Sequence, residues 1–506
     1  IMSIQIISRA AREGIRITPK QIFSFQTIAE LSKEADAKDL QQVNESPVGE
    51  LFFTPVQLRF LRSGLKNISH FNHSVLLKVR KGFDVEHLDK ALNAMIAQHD
   101  ILRFKLNGNE SGIIQETIPS VGFAEFNFAG KELDIAMIDL QVEKNRLNSL
   151  LDLNEGRVIN AALFRMPFDS DRILFNIHHM CIDGVSWRIF LSDFVSAYES
   201  YASSKEVEFQ SKSTSFREWC MKLRDYSSRA GTMQKSEIWN DVNLEESRIL
   251  PAQTDIEKNT YGSAARQTIS LTSEETALLT GDANKAFNTS INDLLLSALA
   301  ISLNSTLNEC RFVVDLEGHG RDELFEDMDI SNTVGWFTSI YPIRLEIQHQ
   351  EDIAQVIKSV KESLSKYSPE GIHYGILRYL NHSSVNSLDP YIVFNYLGQF
   401  RKDLAPGGWE FEIDSLNLQT VPDERRQHLI EMNSMIVDSQ FTMNIEYSKN
   451  IHSDSFIGSF AEAYIDALRS ILQHCANSGS TTFTASDFSD SGLSQQELDD
   501  LLTNLS

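Results

Sequence analysis

The chain has 506 residues, 42% of them hydrophobic, and carries a formal net charge of −24 at pH 7. That length exceeds one compact core, so several folded units are expected. So acidic a surface excludes nucleic acid and anionic lipid as partners, and no apolar run reaches the ~18 residues that a membrane helix needs.

The first residues, IMSIQIISRAAREG, are amphipathic and lack a signal-peptide cleavage pattern. Ile1, Ile4, Ile7 and Ala11 share one helical face, Gly14 stops that helix, and Thr18-Pro19 suits a new helix start. Thr27 and Glu30 form a capping box for a helix through about Ala37. A polar linker follows over 39–48. Ser74–Val79 reads as a strand and Asp84–His99 as an amphipathic helix with Leu88, Leu92, Met95 and Ile96 inward. Arg172–His178 reads as a buried strand, and Ser186–Tyr201 has helical spacing. Residues 203–265 turn polar and are expected to join two lobes. Further on come a helix over 290–303, with Ser290 and Asp293 at capping spacing, a strand Phe312–Leu316, a strand Tyr391–Tyr396 and a helix near 457–474. The end, 486–506, is acidic and serine-rich and is expected to be a tail or linker. Strands alternating with helices in two stretches indicate two α/β lobes. The four cysteines, Cys181, Cys220, Cys310 and Cys475, contain no CxxC pair, which argues against a disulfide framework and fits a reducing, cytoplasmic setting.

The stretch HHMCIDGVSW, 178–187, ends an apolar run with two histidines. A histidine on an apolar strand is more often a satisfied core residue than a catalyst, but strand alternation sends neighbouring side chains to opposite faces, so one of His178 and His179 can face the core and the other an open site. A metal is not expected: HExxH is missing and adjacent histidines on a strand diverge. Asp183 either caps the next helix or anchors a cation, with Arg103 the candidate partner. In LEGHGRDEL, Glu317 follows an apolar strand, where binding residues cluster, although a solvated turn carboxylate would look the same. SNTVGWFTSIYPIRL, 331–345, either lines a channel or covers a core, and FNYLGQF, 394–400, offers Asn395 and Tyr396 as hydrogen-bonding groups or is a strand ending in a glycine turn. Nucleotide-binding loops and a GxSxG elbow are missing.

Together these motifs resemble the condensation-domain superfamily of nonribosomal peptide synthetases, whose signature is HHxxxDG, and within it the epimerization domains. The matching segments are TPVQLRF at 54–60, FNHSVLL at 71–77, HHMCIDGVSW, EGHGR at 317–321, TVGWFTSIYP at 333–342 and FNYLGQF. Residues 1–38 resemble the later helices of a peptidyl-carrier domain, whose phosphopantetheine-bearing serine would precede Ile1. The resemblance implies two chloramphenicol-acetyltransferase-like α/β lobes in a V with a tunnel between them, preceded by the partial carrier. The N-terminal lobe would span 49–220 and the C-terminal lobe 221–485. It also implies inversion from L to D at the α-carbon of an aminoacyl or peptidyl thioester on a 4'-phosphopantetheine arm. Partners would be a carrier domain in the same synthetase, an upstream adenylation domain and a downstream condensation domain.

The chemistry agrees. Inverting a carbon acid means removing a proton from one face and returning one to the other, and a thioester carbonyl takes the charge as an enolate. Positioned acid–base groups give about 10² to 10⁴-fold each, so enolate stabilisation supplies much of the rest. His179 and Glu317, from different lobes, fit the pair, in a two-base or a one-base mechanism, with Glu317 best served by burial raising its pKa. Asn395 and Tyr396 are expected to donate to the enolate or assist proton return. His178, Asp183, Gly184, Arg103, Ser186 and Trp187 are expected to support the site, and Trp187 and Trp336 to act as walls. Rival readings are a condensation domain, which needs no carboxylate at 317, and an inactive carrier-docking module.

Overall fold

The computed structural model describes residues 47–490 except 109, 169, 210–213, 230–235, 243–254, 323, 326, 348–351, 382–388, 401–402, 406–408, 413–416 and 479. Of 1–46 it describes 6, 10, 15, 17, 21–22, 25 and 27–34, and beyond 490 it describes 491, 495, 497–498 and 500–501. The strands among these residues are β1 (Gly49–Leu51), β2 (Asn72–Arg80), β3 (Phe104–Leu106), β4 (Gly112–Ile114), β5 (Phe123–Asn127), β6 (Ile159–Arg165), β7 (Ser170–His178), β8 (Ala264–Ser270), β9 (Arg311–Gly318), β10 (Ser339–Glu346), β11 (Ile392–Phe400), β12 (Asp403–Ala405), β13 (Trp409–Phe411), β14 (Asn417–Gln419), β15 (Ile430–Val437) and β16 (Gln440–Ser448). They belong to two compact units, one of 1–228, 319–338 and 401–421, the other of 229–318, 339–400 and 422–506.

A single cut after residue 220 therefore does not separate the units. The helix Phe216–Ser227 carries the first unit past that point by burying Phe216, Trp219 and Leu223. Two later excursions, 319–338 and 401–421, return to it. Strand pairing accounts for the second: β13 runs antiparallel to β2 with Trp409 opposite Val79. The Trp409 indole, fully buried, packs edge-on against Phe83, Phe194 and Tyr198.

The first unit is built on a sheet of order β12-β13-β2-β7-β6-β5, with β14 also on β2. β2 and β7 pair antiparallel along their length, from Asn72 opposite His178 to Arg80 opposite Ser170. β7 is buried continuously from Ile173 to His178, which is why its sequence reads as an apolar run rather than as alternation. Its polar exception, Asn176, is satisfied by Ser74 and Asn160. The helices Val85–Gln98 and Gly184–Ala202 pack together. The first is capped by Asp84, which accepts from the backbone N–H of Glu86 at 2.8 Å and of His87 at 3.2 Å.

The second unit is built on a sheet of order β10-β9-β11-β15-β16-β8, in which β11 is parallel to both neighbours and the other pairs are antiparallel. β15 alternates along its length and β16 as far as Tyr447, burying Met432, Ser434 and Ile436, and Phe441, Met443 and Ile445. Their apolar members share one core with the helices Ile291–Leu307, Ile353–Tyr367 and Asp454–Ala476. The expected Ser290–Asp293 cap is present, with the Ser290 N–H donating to Asp293 at 2.6 Å.

Two other expectations change. β9 extends through Gly318, so Glu317 lies inside the strand and faces Ile340 of β10 rather than following the strand's end. The segment 485–491 is not a free tail: it turns and docks on the second unit, where the buried Lys361 ammonium reaches Asp487 at 2.6 Å and the Ser486 N–H donates to Glu362. In the N-terminal region the helix Ile28–Glu34 carries the expected capping box, with the Thr27 hydroxyl donating to Glu30 and accepting from its N–H. The expected helix on Ile1, Ile4, Ile7 and Ala11 lies outside the described residues. No single described helix is long and apolar enough to cross a membrane.

Candidate active site

β7 ends at His178, and the chain turns there through a short 3-10 segment, His179–Cys181. The turn gives the two imidazoles different surroundings. His178 is fully buried; its Nε2 lies 2.7 Å from the carbonyl oxygen of Ile68 and its Nδ1 accepts the Met180 N–H at 3.1 Å. A carbonyl only accepts, so Nε2 carries the proton and both ring nitrogens are occupied. Burial pulls its pKa down to about 3. His179 is half-buried, and its Nδ1 lies 2.8 Å from the Ile182 carbonyl oxygen. By the same argument Nδ1 carries the proton and Nε2 presents a lone pair. Burial holds its pKa near about 4, against the opposing pull of the Ile182 hydrogen bond, so at neutral pH it is an uncharged base. The two rings thus differ in hydrogen bonding: His178 has both nitrogens engaged, whereas His179 is held through Nδ1.

Rings crowd His179: Trp336 stacks with centroids 4.0 Å apart, Phe71 stacks at 5.5 Å, and His73 lies tilted at 3.9 Å. Trp336 accordingly forms a wall. Trp187 does not: it is buried in the core against Phe190, with its Nε1–H directed at His73.

The loop after His179 is held by groups from distant segments of the same unit. Asp183 caps the following helix, accepting from the Ser186 N–H at 2.7 Å, and also accepts from the Phe337 N–H at 2.9 Å. Its cation is Arg321, 3.7 Å away, not Arg103. Arg103 is buried elsewhere and donates to the Gln115 carbonyl at 3.3 Å. The fully buried Arg321 also donates to Ser186 Oγ and to the Ile330 carbonyl, and it lies over the Phe337 ring. Ser186 Oγ in turn donates to the Gly335 carbonyl and accepts the Gly335 N–H. Gly335 must be glycine, because a Cβ there would sit 2.1 Å from the Phe216 ring. Gly184, exposed, opens the helix. Gln57 donates to the Met180 carbonyl at 2.7 Å and Thr54 to that of Trp336 at 3.1 Å. The segments 54–60, 178–187 and 333–337 therefore converge on one imidazole.

In the second unit Glu317 accepts from Asn395 Nδ2 at 2.6 Å. The adjacent parallel strands β9 and β11 bring them together. Both are half-buried, as is Tyr396, the next residue on β11. The strand does not end at the glycine of FNYLGQF: its pairing with β15 shifts register between Tyr396 and Gln399, and Gly398 takes a φ of +88° there. His319 is a turn residue, its Nδ1 accepting the Arg321 N–H at 3.0 Å.

Two supporting groups lie inside the matching motifs without a local pattern that marks their roles: Arg321 within EGHGR and His73 within FNHSVLL. Among the described residues no cluster of His, Cys, Asp or Glu could hold a metal ion.

A Condensation domain family model matches residues 48–494. A linear gramicidin synthase of Brevibacillus parabrevis is 36% identical over 531 residues, which cover 99% of this chain and 7% of that protein. Surfactin synthase subunit 2 of Bacillus subtilis (strain 168) is 32% identical over 511 residues, 100% of this chain and 14% of that protein. The chain thus spans only a small part of these relatives. Among solved structures, the epimerization domain from the third module of tyrocidine synthetase B is 30% identical with a TM-score of 0.78, over 87% of this chain and 99% of that one. The condensation domain of the Monacolin K polyketide synthase, 14% identical with a TM-score of 0.65 over 85% of this chain and 98% of that one, shares the fold. The mixed α/β fold is that of these domains, and the chain belongs to the condensation-domain superfamily of nonribosomal peptide synthetases.

Proposed function

We propose that this chain is an epimerase that interconverts the L and D configurations at the α-carbon of an aminoacyl or peptidyl thioester. The thioester is tethered to the 4'-phosphopantetheine of a carrier domain. His179 and Glu317 act on the same α-carbon, one taking the proton and the other returning one. Asn395 and Tyr396, on β11, donate to the enolate or assist proton return. The carrier belongs to the same cytoplasmic synthetase, which also holds adenylation and condensation domains.

The observation that carries the reading is the hydrogen bond from Asn395 Nδ2 to Glu317 at 2.6 Å. It holds a half-buried carboxylate in place on β9. Peptide-bond formation has no use for that carboxylate. His179 supports the reading with a neutral ring whose Nε2 lone pair can accept a proton from carbon.

The test supplies a carrier loaded with an L-aminoacyl phosphopantetheine thioester in deuterated water, without an acceptor. Epimerization yields α-deuterium and a D/L mixture. Absence of both overturns the reading. Adding an acceptor thioester then separates condensation, which forms a peptide, from docking, which forms nothing.

A further inference from the structure

We propose that His73 is a positioning residue for His179, forming with Trp336 a sandwich that fixes the plane of the imidazole. The proposal rests on the epimerase reading only in what His179 is positioned to do. Trp336 and His73 each lie about 4 Å from His179, with interplanar angles of 24° and 34°. Two such rings cannot share one face of an imidazole, so they occupy opposite faces. Phe71, two residues before His73, stacks at 5.5 Å and 11°.

His73 is itself held. Its Nδ1 accepts the Trp187 indole N–H in a long hydrogen bond of 3.4 Å. Trp187 is fixed by burial within the helix that Asp183 caps. The structural chain therefore closes on itself: the loop that presents His179 starts the helix that carries Trp187, and Trp187 steadies the ring that lies on His179. The hydrogen bond from Nδ1 to Ile182 fixes one edge of the imidazole and leaves it free to tilt about that edge. Flat groups on both faces remove that freedom. Proton removal from carbon tolerates little misalignment, a 1 Å displacement being worth roughly 10²-fold. The required properties of residue 73 are a planar side chain and an acceptor for Trp187. Glutamine has both and leucine has neither.

The experiment compares His73→Leu and His73→Gln in the full chain with a loaded carrier domain. The expected result is a kcat for α-deuterium exchange about tenfold or more lower in His73→Leu, with KM and melting temperature little changed, and within about threefold of wild type in His73→Gln. A His73→Leu rate within threefold of wild type overturns the proposal, as does a His73→Gln rate as low as that of His73→Leu. If His73→Leu fails to fold, His73→Thr replaces it. A second readout needs no turnover: in nitrogen-15 NMR the His179 Nδ1–H should exchange slowly with solvent in wild type and faster in the leucine variant. Equal exchange overturns the proposal. Failure of the wild type to exchange α-deuterium counts against the epimerase reading alone, and the NMR comparison still decides the role of His73.

Discussion

His179 donates its Nδ1–H to the carbonyl of Ile182, three residues ahead, at 2.8 Å. That local bond selects the tautomer in which Nε2 is unprotonated, while His178, one residue earlier, spends both nitrogens on Ile68 and Met180. Replacing each by alanine should therefore have opposite consequences. His179→Ala should lose most α-deuterium exchange, a drop of about 10² or more, with little change in melting temperature. His178→Ala should instead lower stability by about 1–3 kcal/mol or more, because Met180 N–H and the Ile68 carbonyl lose a buried partner. Loss of turnover in His178→Ala at unchanged melting temperature would reverse the assignment.

Glu317→Gln should abolish exchange or nearly so, while the sheet holds, since the amide retains an oxygen to accept from Asn395. Asn395→Leu should lower exchange about tenfold by releasing the carboxylate from this donor on β11. Exchange in Glu317→Gln within a few-fold of wild type, measured by mass spectrometry of the hydrolysed acyl group, refutes its role.

Acid should act on rate and on stability over different ranges. His179, with its folded pKa near about 4, stays a base down to that value, so its protonation should limit the rate only as pH falls toward 4. Stability responds earlier. Unfolded histidines take up protons below about 6.5, whereas folded His178 and His179 resist until about 3 and about 4. Between those limits the unfolded state binds more protons, so stability is lost as pH falls, by up to about 1.4 kcal/mol per pH unit for each ring. Guanidinium midpoints at pH 7 and pH 5 should show the loss. His178→Gln should show a shallower slope, and an equal slope would remove His178 from the account.

The Asp183–Arg321 pair is buried on both sides, with side chains only 4% and 2% exposed. Removing the cation alone strands a buried carboxylate, so Arg321→Met should cost about 3–5 kcal/mol. Asp183→Asn should cost less, because the amide oxygen can still accept from one of the two N–H groups. The double variant should be more stable than the sum of the two losses predicts, a coupling that a double-mutant cycle in urea would measure. Strict additivity would show that the two side chains stand apart in solution.

Much of this was legible in the sequence where the signal is local. The apolar spacing of Leu88, Leu92, Met95 and Ile96 and the capping pair Ser290 and Asp293 announce their helices, and the apolar run ending at His178 announces a buried strand. The two histidines divide as neighbours at a strand end should, although hydrogen bonding rather than alternation decides which one is free. Long-range partnerships were not legible. Arg103 and Arg321 are both arginines near quoted motifs, and only the return of 319–338 to the first unit selects the second. Strands β12, β13 and β14 have three residues each, too short for any periodic pattern, so the return of 401–421 to β2 is visible only in the register that pairs Trp409 with Val79. Asn395 was legible as a polar residue on a strand, and its contact with Glu317 followed only once β9 and β11 were neighbours.

The docked segment 485–491 yields the last prediction. Composition alone marks it as a linker, yet Asp487 accepts from the Lys361 ammonium with both carboxylate oxygens, and from the Thr484 N–H at 2.8 Å. The Lys361 ammonium also donates to the Phe287 carbonyl at 2.9 Å. Lys361 is 7% exposed, so a charge at this depth requires the carboxylate. Asp487→Ala should destabilise the second unit by about 3–5 kcal/mol, and Lys361→Met in the same chain should restore much of that loss by removing the stranded charge. Hydrogen exchange would then show faster opening of the helix Ile353–Tyr367 in Asp487→Ala, with the sheet of the first unit unaffected. Unchanged protection across that helix would mean that 485–491 is dispensable and behaves as the linker that its composition suggests.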